Sequence, residues 1–212
     1  MSMETHSVDV SPPLARPGSA LDRLCRVTSY VLHPVLMMLA TSLLLSLYAH
    51  GNAPRALGEA SLLLLGLLPG LLYLAVGVAR GKFSHLHLLN KEERHVVLPL
   101  VVLGLLAVFL SYKLVGAPVE LERGVALGTL GGVGVVAITR FWKISLHSSV
   151  GAGCAALFAT TSPVTFGVLG ALALLSGLSR LPIRHHTPAQ VLVGWAYGLA
   201  VPLFLQAVLP PL

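Results

Sequence analysis

Residues 179–190 read SRLPIRHHTPAQ and lie between two apolar segments. A hydroxyl (Ser179), a guanidinium (Arg180) and an imidazole (His186) gather there, and such groups at a membrane boundary suit a phosphate. Arg180 offers a planar fork that matches phosphate oxygens. Thr187-Pro188 is a helix-start signal, Thr as N-cap and Pro at the first helical position. His186 therefore sits just ahead of a helix, where free N–H groups and the helix dipole favour an anion. A neutral imidazole at that point can attack phosphorus and carry a phosphoryl group. Gln190 falls in the first turn, within reach of one ring nitrogen, and can fix the tautomer. A second polar group, Lys143, Ser145 and His147, fills another gap between apolar segments. Lys143 supplies charge, Ser145 a donor, and His147 a general acid that titrates near neutrality.

The elements that position these groups are membrane helices. The chain has 212 residues, of which 55% are hydrophobic and only 10% charged. A soluble domain of this size needs more surface charge, so the composition implies an all-α, polytopic transmembrane bundle. Residues 1–26 are polar and proline-containing and read as a disordered cytoplasmic tail. Residues 27–212 form the transmembrane domain. Its net charge of +6 fits basic loops beside anionic headgroups and does not call for nucleic acid. Cys25 and Cys154 are too far apart in sequence to suggest a metal or disulfide pattern.

A bilayer core takes about 20 apolar residues per helix. Charge-poor stretches at 27–54, 60–79, 95–112, 124–139 and 185–212 predict five spans, the fourth of them short. Residues 144–179 carry no charge and are punctuated at 160–163 by TTSP. They read as two shorter helices, about 148–160 and 164–178. The total is about six spanning helices, or seven if both short pieces cross. Glycines four apart (Gly66 and Gly70; Gly124, Gly128 and Gly132; Gly194 and Gly198) allow close helix approach. Packing within the chain is the simpler reading; a contact between copies is the alternative.

If every piece crosses, the loops at 80–94, 140–147 and 179–186 fall on one face. Most of the 14 Lys and Arg lie on that side; only Arg55, Lys113 and Arg123 fall on the other. The positive-inside rule then sets the clusters on the cytoplasmic face of a plasma or inner membrane.

SR-x5-H with its three following residues resembles the third signature of the type 2 phosphatidic acid phosphatase superfamily. That signature ends in Asp, where this chain has Gln190. ISLH, with Ser145 and His147, is similar to the second signature, proline-serine-glycine-histidine, keeping Ser and His without Pro and Gly. The first signature, Lys-x6-Arg-Pro, has no match; Lys91 and Arg94 in NKEER are its nearest counterparts. The resemblance implies that His186 is the nucleophile and His147 the general acid. It implies phosphate binding by Arg180, Ser145, Lys143, Lys91 and Arg94. No metal or other cofactor is implied, since the cations neutralise the phosphate. His85 and His87 beside Glu92 and Glu93 can imitate a metal site but read as incidental.

The expected activity is removal of phosphate from a lipid phosphate or diphosphate, of the phosphatidate, phosphatidylglycerophosphate or prenyl phosphate class. Transfer of the phosphoryl group to an alcohol is one alternative. A non-catalytic lipid-phosphate binder or transporter is another, disfavoured by the lack of charge within the expected spans. The expected partners are the lipid phosphate and the surrounding membrane lipids.

Overall fold

The computed structural model describes residues 16–84, 88 and 90–208. His85 and His87 therefore lie outside the described residues, as do positions 1–15 of the expected tail. The described residues are helical, with no strand among them. The helices are α1 (Ala20–Val31), α2 (Pro34–His50), α3 (Ala53–Ala79), α4 (Lys91–Val115), α5 (Val119–Phe141), α6 (Leu146–Ala156), α7 (Pro163–Leu178) and α8 (Pro188–Val208).

The helix starts follow local chemistry. His33, Asn52, Ser145 and Ser162 cap α2, α3, α6 and α7 with their side chains, and Pro stands in the first turn of α2, α3 and α7. Such caps satisfy N–H groups that have no partner inside the helix. Gly116 ends α4 in the left-handed region, at φ 63°, where a side chain is strained.

Four helices (α3, α4, α5 and α8) are long and apolar enough to cross a membrane, and α1 with α2 makes a fifth if that bent pair is one span. The first expected span differs from expectation. His33-Pro34 breaks it, and the two helices meet at a bend of 46°, because Pro removes an N–H and cannot continue a helix from before. The expected tail is also shorter than read, since residues 20–26 are the first part of α1. That helix exposes Leu21, Leu24, Val27, Tyr30 and Val31 and buries Asp22, Cys25 and Ser29. An exposed apolar stripe with Arg23 and Arg26 beside it suits the plane of a bilayer interface. The short fourth span gains length from both flanks, since α5 has 23 residues.

Helices α6 and α7 form a hairpin that ends at the level of the α2 C-terminus. There the Tyr48 hydroxyl donates to the Thr161 carbonyl at 2.8 Å, and Gln206, late in α8, donates to the Ala156 carbonyl at 3.2 Å. Both ends of the hairpin, Ser145 and Ser179, consequently return to one end of the bundle. The far end balances its charges. Glu59, buried inside α3, receives Arg55 at 3.1 Å and the Ser46 hydroxyl. Lys113 pairs with Glu122 at 2.6 Å. Glu59 lies just ahead of the stretch read as charge-free, so a buried carboxylate stands where none was expected. Its partners make it a latch between α2 and α3.

The glycines divide into two groups. A Cβ on Gly198 would collide with the Ser149 carbonyl oxygen, and one on Gly194 would meet the Ser145 carbonyl oxygen at 2.9 Å. These two let α8 press against α6. A Cβ on Gly128 would meet only Leu105 Cδ1, at 3.9 Å. Gly198→Ala should therefore lower stability by about 1–3 kcal/mol through overpacking. Gly128→Ala should be neutral or stabilising by about 0.5–1 kcal/mol through helix propensity. Apparent unfolding temperatures of the two variants in detergent check the contrast; equal losses would contradict it.

Candidate active site

Four helix N-termini meet at the cluster end, and specific contacts join them. At the start of α4, the Arg94 guanidinium donates to the carbonyl of Ile144, just before α6, at 2.7 Å. The Ser145 N–H donates to the Gln190 carbonyl in the first turn of α8, at 3.2 Å. The ring of His33, which caps α2, packs edge-on against His147 with centroids 5.7 Å apart. Each of these termini carries partial positive charge.

Three cations join them. Arg180 is 0% exposed and Arg94 1%, while Lys143 is half-buried. The Arg180 nitrogens Nε, Nη1 and Nη2 have no hydrogen-bond partner among the described residues. No acid forms an ion pair with Arg94, Lys143 or Arg180 among the described residues. Burial and the nearby Arg94 pull Arg180 down to about 10, so it remains charged at neutral pH. Burial, then Arg94 and Arg180, pull Lys143 down to about 8. A buried guanidinium without a partner is costly unless an anion joins it.

His186 is buried beside these cations. Burial first, then the charges of Lys143 and Arg94, push its imidazole down to about 2, with the Gln190 hydrogen bond opposing and Arg180 adding to the depression. It is therefore neutral across the ordinary pH range. Its Nδ1 lies 2.9 Å from Gln190 Oε1. The same oxygen accepts from the Thr187 N–H at 3.3 Å, which identifies it as the amide oxygen. The Gln190 N–H in turn donates to Thr187 Oγ1 at 3.3 Å. Thr187 and Gln190 thus form a reciprocal capping box. An amide oxygen only accepts, so Nδ1 carries the proton and Nε2 keeps the lone pair. Gln190 orients the imidazole, as its spacing suggests.

The other expected site residues take more varied places. His147 lies inside the first turn of α6, not ahead of it, and its Nε2–H donates to the Ser29 carbonyl at 3.2 Å. Ser145 is wholly buried and caps α6, where its hydroxyl oxygen accepts from the Ser148 hydroxyl at 3.0 Å. Lys143 donates to the His185 carbonyl at 3.0 Å. Arg94 spends Nε on the Leu88 carbonyl at 3.0 Å and Nη1 on Ile144, so it holds the loop before α6 and adds field. Lys91, one turn earlier on α4, has no hydrogen bond or ion pair to the cluster among the described residues. A helical turn of spacing separates the two, and Arg94 alone reaches inward.

His33 and Ser29 belong to this end and were not expected there. Ser29 also bonds Ser179, hydroxyl to hydroxyl at 3.1 Å, so the α1–α2 corner touches both site loops. The signal was available in sequence, since His33-Pro34 interrupts an apolar run as Thr187-Pro188 begins one. Treating 27–54 as one uninterrupted span hid it.

The chain matches no family model, no curated protein and no solved structure. The chemistry of the site itself remains informative. A buried set of cations with no ion-paired acid among the described residues, at converging helix N-termini, can hold a tetrahedral anion, with an unprotonated imidazole nitrogen beside it.

Lys143 makes anion binding depend on pH. An anion favours the protonated amine, so affinity should be full below about 8 and fall above it as Lys143 loses its proton. Sulfate, which does not titrate there, is the suitable probe. Lys143→Arg should move the fall to higher pH, and Lys143→Met should weaken binding at neutral pH roughly tenfold or more. Titration of sulfate against the purified protein from neutral to alkaline pH reads this directly. A flat profile would contradict the role given to Lys143.

Proposed function

We propose that this chain is an integral-membrane phosphatase of lipid phosphates that works through a phosphohistidine on His186. The observation that carries the reading is Arg180, a fully buried guanidinium whose three nitrogens have no partner among the described residues, beside a neutral imidazole. The resemblance of residues 179–190 and 144–147 to two signatures of the type 2 phosphatidic acid phosphatase superfamily supports it from sequence.

In this reading Arg180 and Lys143 bind the phosphoryl oxygens, with the N-termini of α6 and α8 adding their dipoles. Arg94 holds the loop before α6 and contributes charge. Ser145 faces the same group as a donor, and Lys91 supplies charge at the entrance. His186 Nε2 attacks phosphorus, forming an N–P bond as the P–O bond to the lipid breaks. His147 gives the leaving oxygen its proton, for which its bond to the Ser29 carbonyl must open. Water then attacks phosphorus, giving a proton to the now neutral His147; the N–P bond breaks, His186 leaves as the neutral imidazole and inorganic phosphate is released. Neutralisation by the basic residues stabilises charge in the transition state.

The path across the bilayer is part of the same proposal: the four long helices and the bent α1–α2 pair make five crossings, or seven where α6 and α7 also pass through. Helices α6 and α7 enter the bilayer as an out-and-back hairpin, each shorter than an ordinary span. This keeps the loops at 140–147 and 179–186 on one face whether the hairpin passes fully through or turns inside. The excess of basic residues at that end favours the cytoplasmic side of a plasma or inner membrane. A lipid phosphate suits the location, with its tail in the bilayer and its headgroup at the rim.

Two variants test the chemistry. Wild-type protein in mixed micelles should release inorganic phosphate from phosphatidate, phosphatidylglycerophosphate or a prenyl phosphate with a chelator present. His186→Ala should lower that rate by about a thousandfold or more; an unchanged rate would sink the proposal. Gln190→Glu keeps the capping box and places a carboxylate on Nδ1, which raises the imidazole pKa. The nucleophile must be unprotonated, so the acid limb of the rate profile should move to higher pH. No movement would show that Gln190 does not act through His186.

A further inference from the structure

An apolar cavity of about 180 Å³ runs between α2, α4, α5, α6 and α8, with Leu63 of α3 also in its wall. One end reaches Leu98, Val135, Leu146 and Tyr197. These side chains pack with Ile144, whose carbonyl takes Arg94. The other end reaches Leu121, Gly124 and Leu157. Along α5 the walls extend from Leu121 to Val135, which at the helical rise is about 20 Å. The cavity thus begins below Ile144, the buried side chain that separates it from the cation cluster, and descends through most of the bundle.

Its α5 wall has glycines that helix packing does not require. A Cβ on Gly128 would meet Leu105 Cδ1 at 3.9 Å, and one on Gly131 would meet Val201 Cγ1 at 3.9 Å. Both are ordinary contacts. Elsewhere in the bundle the glycines are forced, as at Gly104, where a Cβ would collide with the Gly66 carbonyl oxygen. Close approach explains Gly104 and Gly198. It does not explain Gly128 and Gly131, which leave space open where most side chains would fill it. Atoms lining an unfilled space lose dispersion contacts, and an apolar space of this kind favours an apolar occupant. A cavity of roughly 150 Å³ holds one benzene ring, so this one has the width of a single hydrocarbon chain.

We propose that the groove binds one hydrocarbon chain of the lipid whose phosphate sits among Arg180, Lys143 and His186. The chain lies along Gly128 and Gly131 with its end near Leu121 and Leu157. Any second chain of the same lipid stays in the bilayer. This rests on the reading of the cation cluster as a lipid-phosphate site. It adds that selectivity for chain length is set by the far wall, remote from the chemistry.

A photoactivatable alkyl phosphate tests it, with the reactive group at the chain end and an extended length matching the groove. In detergent-solubilised full-length protein the label should map to Leu121, Gly124 and Leu157, and excess inorganic phosphate should remove it. Gly128→Leu fills the groove midway and should cut that label by about tenfold. Gly128→Ala should leave it in place, and retained sulfate binding by both variants shows that they fold. Label on the exposed Leu110 and Leu114, or unchanged labelling in Gly128→Leu, overturns the groove alone. Label at the far wall that survives excess phosphate and Arg180→Gln overturns the link to the cation cluster, and with it the phosphate reading. A change of oligomeric state in Gly128→Leu identifies the groove as a contact between copies and also overturns the proposal.

Discussion

Like charges brought together out of water repel, and this molecule brings three of them together with no ion-paired acid among the described residues; Glu93 acts on Arg94 from beyond ion-pair distance. Arg94, Arg180 and Lys143 share one end of the bundle with the N-termini of α2, α4, α6 and α8. The electrostatic cost is met only in part by backbone carbonyls, those of Leu88, Ile144 and His185. Arg180 receives no such help among the described residues. The consequence for chemistry is direct. The same field and burial that penalise the cluster keep His186 unprotonated, the state that the proposed phosphohistidine chemistry requires.

The rest of the fold holds that arrangement in place. Pressure of α8 on α6 through Gly194 and Gly198 brings the capping box of Thr187 and Gln190 against Ser145. The reach of the α6–α7 hairpin to Tyr48 returns Ser179 to the level of Ser145. At the far end, Glu59 with Arg55 and Ser46, and Lys113 with Glu122, neutralise charge pair by pair. The two ends therefore differ in kind. One is a closed structural network, and the other has donors in excess of acceptors. Gln190 connects local folding to the cluster, because a single amide oxygen satisfies the helix N-terminus and sets the tautomer of His186.

Much of this was legible in the sequence because membranes leave few solutions. Long apolar runs must be helices, and polar residues between them must be paired or used. Thr187-Pro188 as a helix start and Gln190 as the partner of His186 followed from spacing alone. The parity of hydrophobic hairpins brought 143–147 and 179–186 to one end. Three things were less accessible. The break at His33-Pro34 lies inside a run whose hydrophobicity hides it, so the part of the α1–α2 corner at the site was missed. The residue types of Lys91 and Arg94 do not say which is buried, because residues three apart share a face of α4 and the outcome depends on where that helix begins: Lys91 is its first residue and Arg94 lies a turn deeper. Small residues spaced four apart look alike in sequence whether a neighbouring helix presses on them, as at Gly198, or a groove runs past, as at Gly128.

On the proposed function, the cation cluster is organised around an anion it must receive from outside. Thermal unfolding of Arg180→Met against wild type, each with and without inorganic phosphate, measures this most directly. Phosphate should raise the unfolding temperature of the wild type and leave the variant unmoved. Without phosphate the variant should be the more stable of the two, since an unpaired buried charge has been replaced by an apolar chain of similar length. A variant less stable than wild type in both conditions, with no response of either protein to phosphate, would mean that Arg180 is a structural residue and that no anion site exists there.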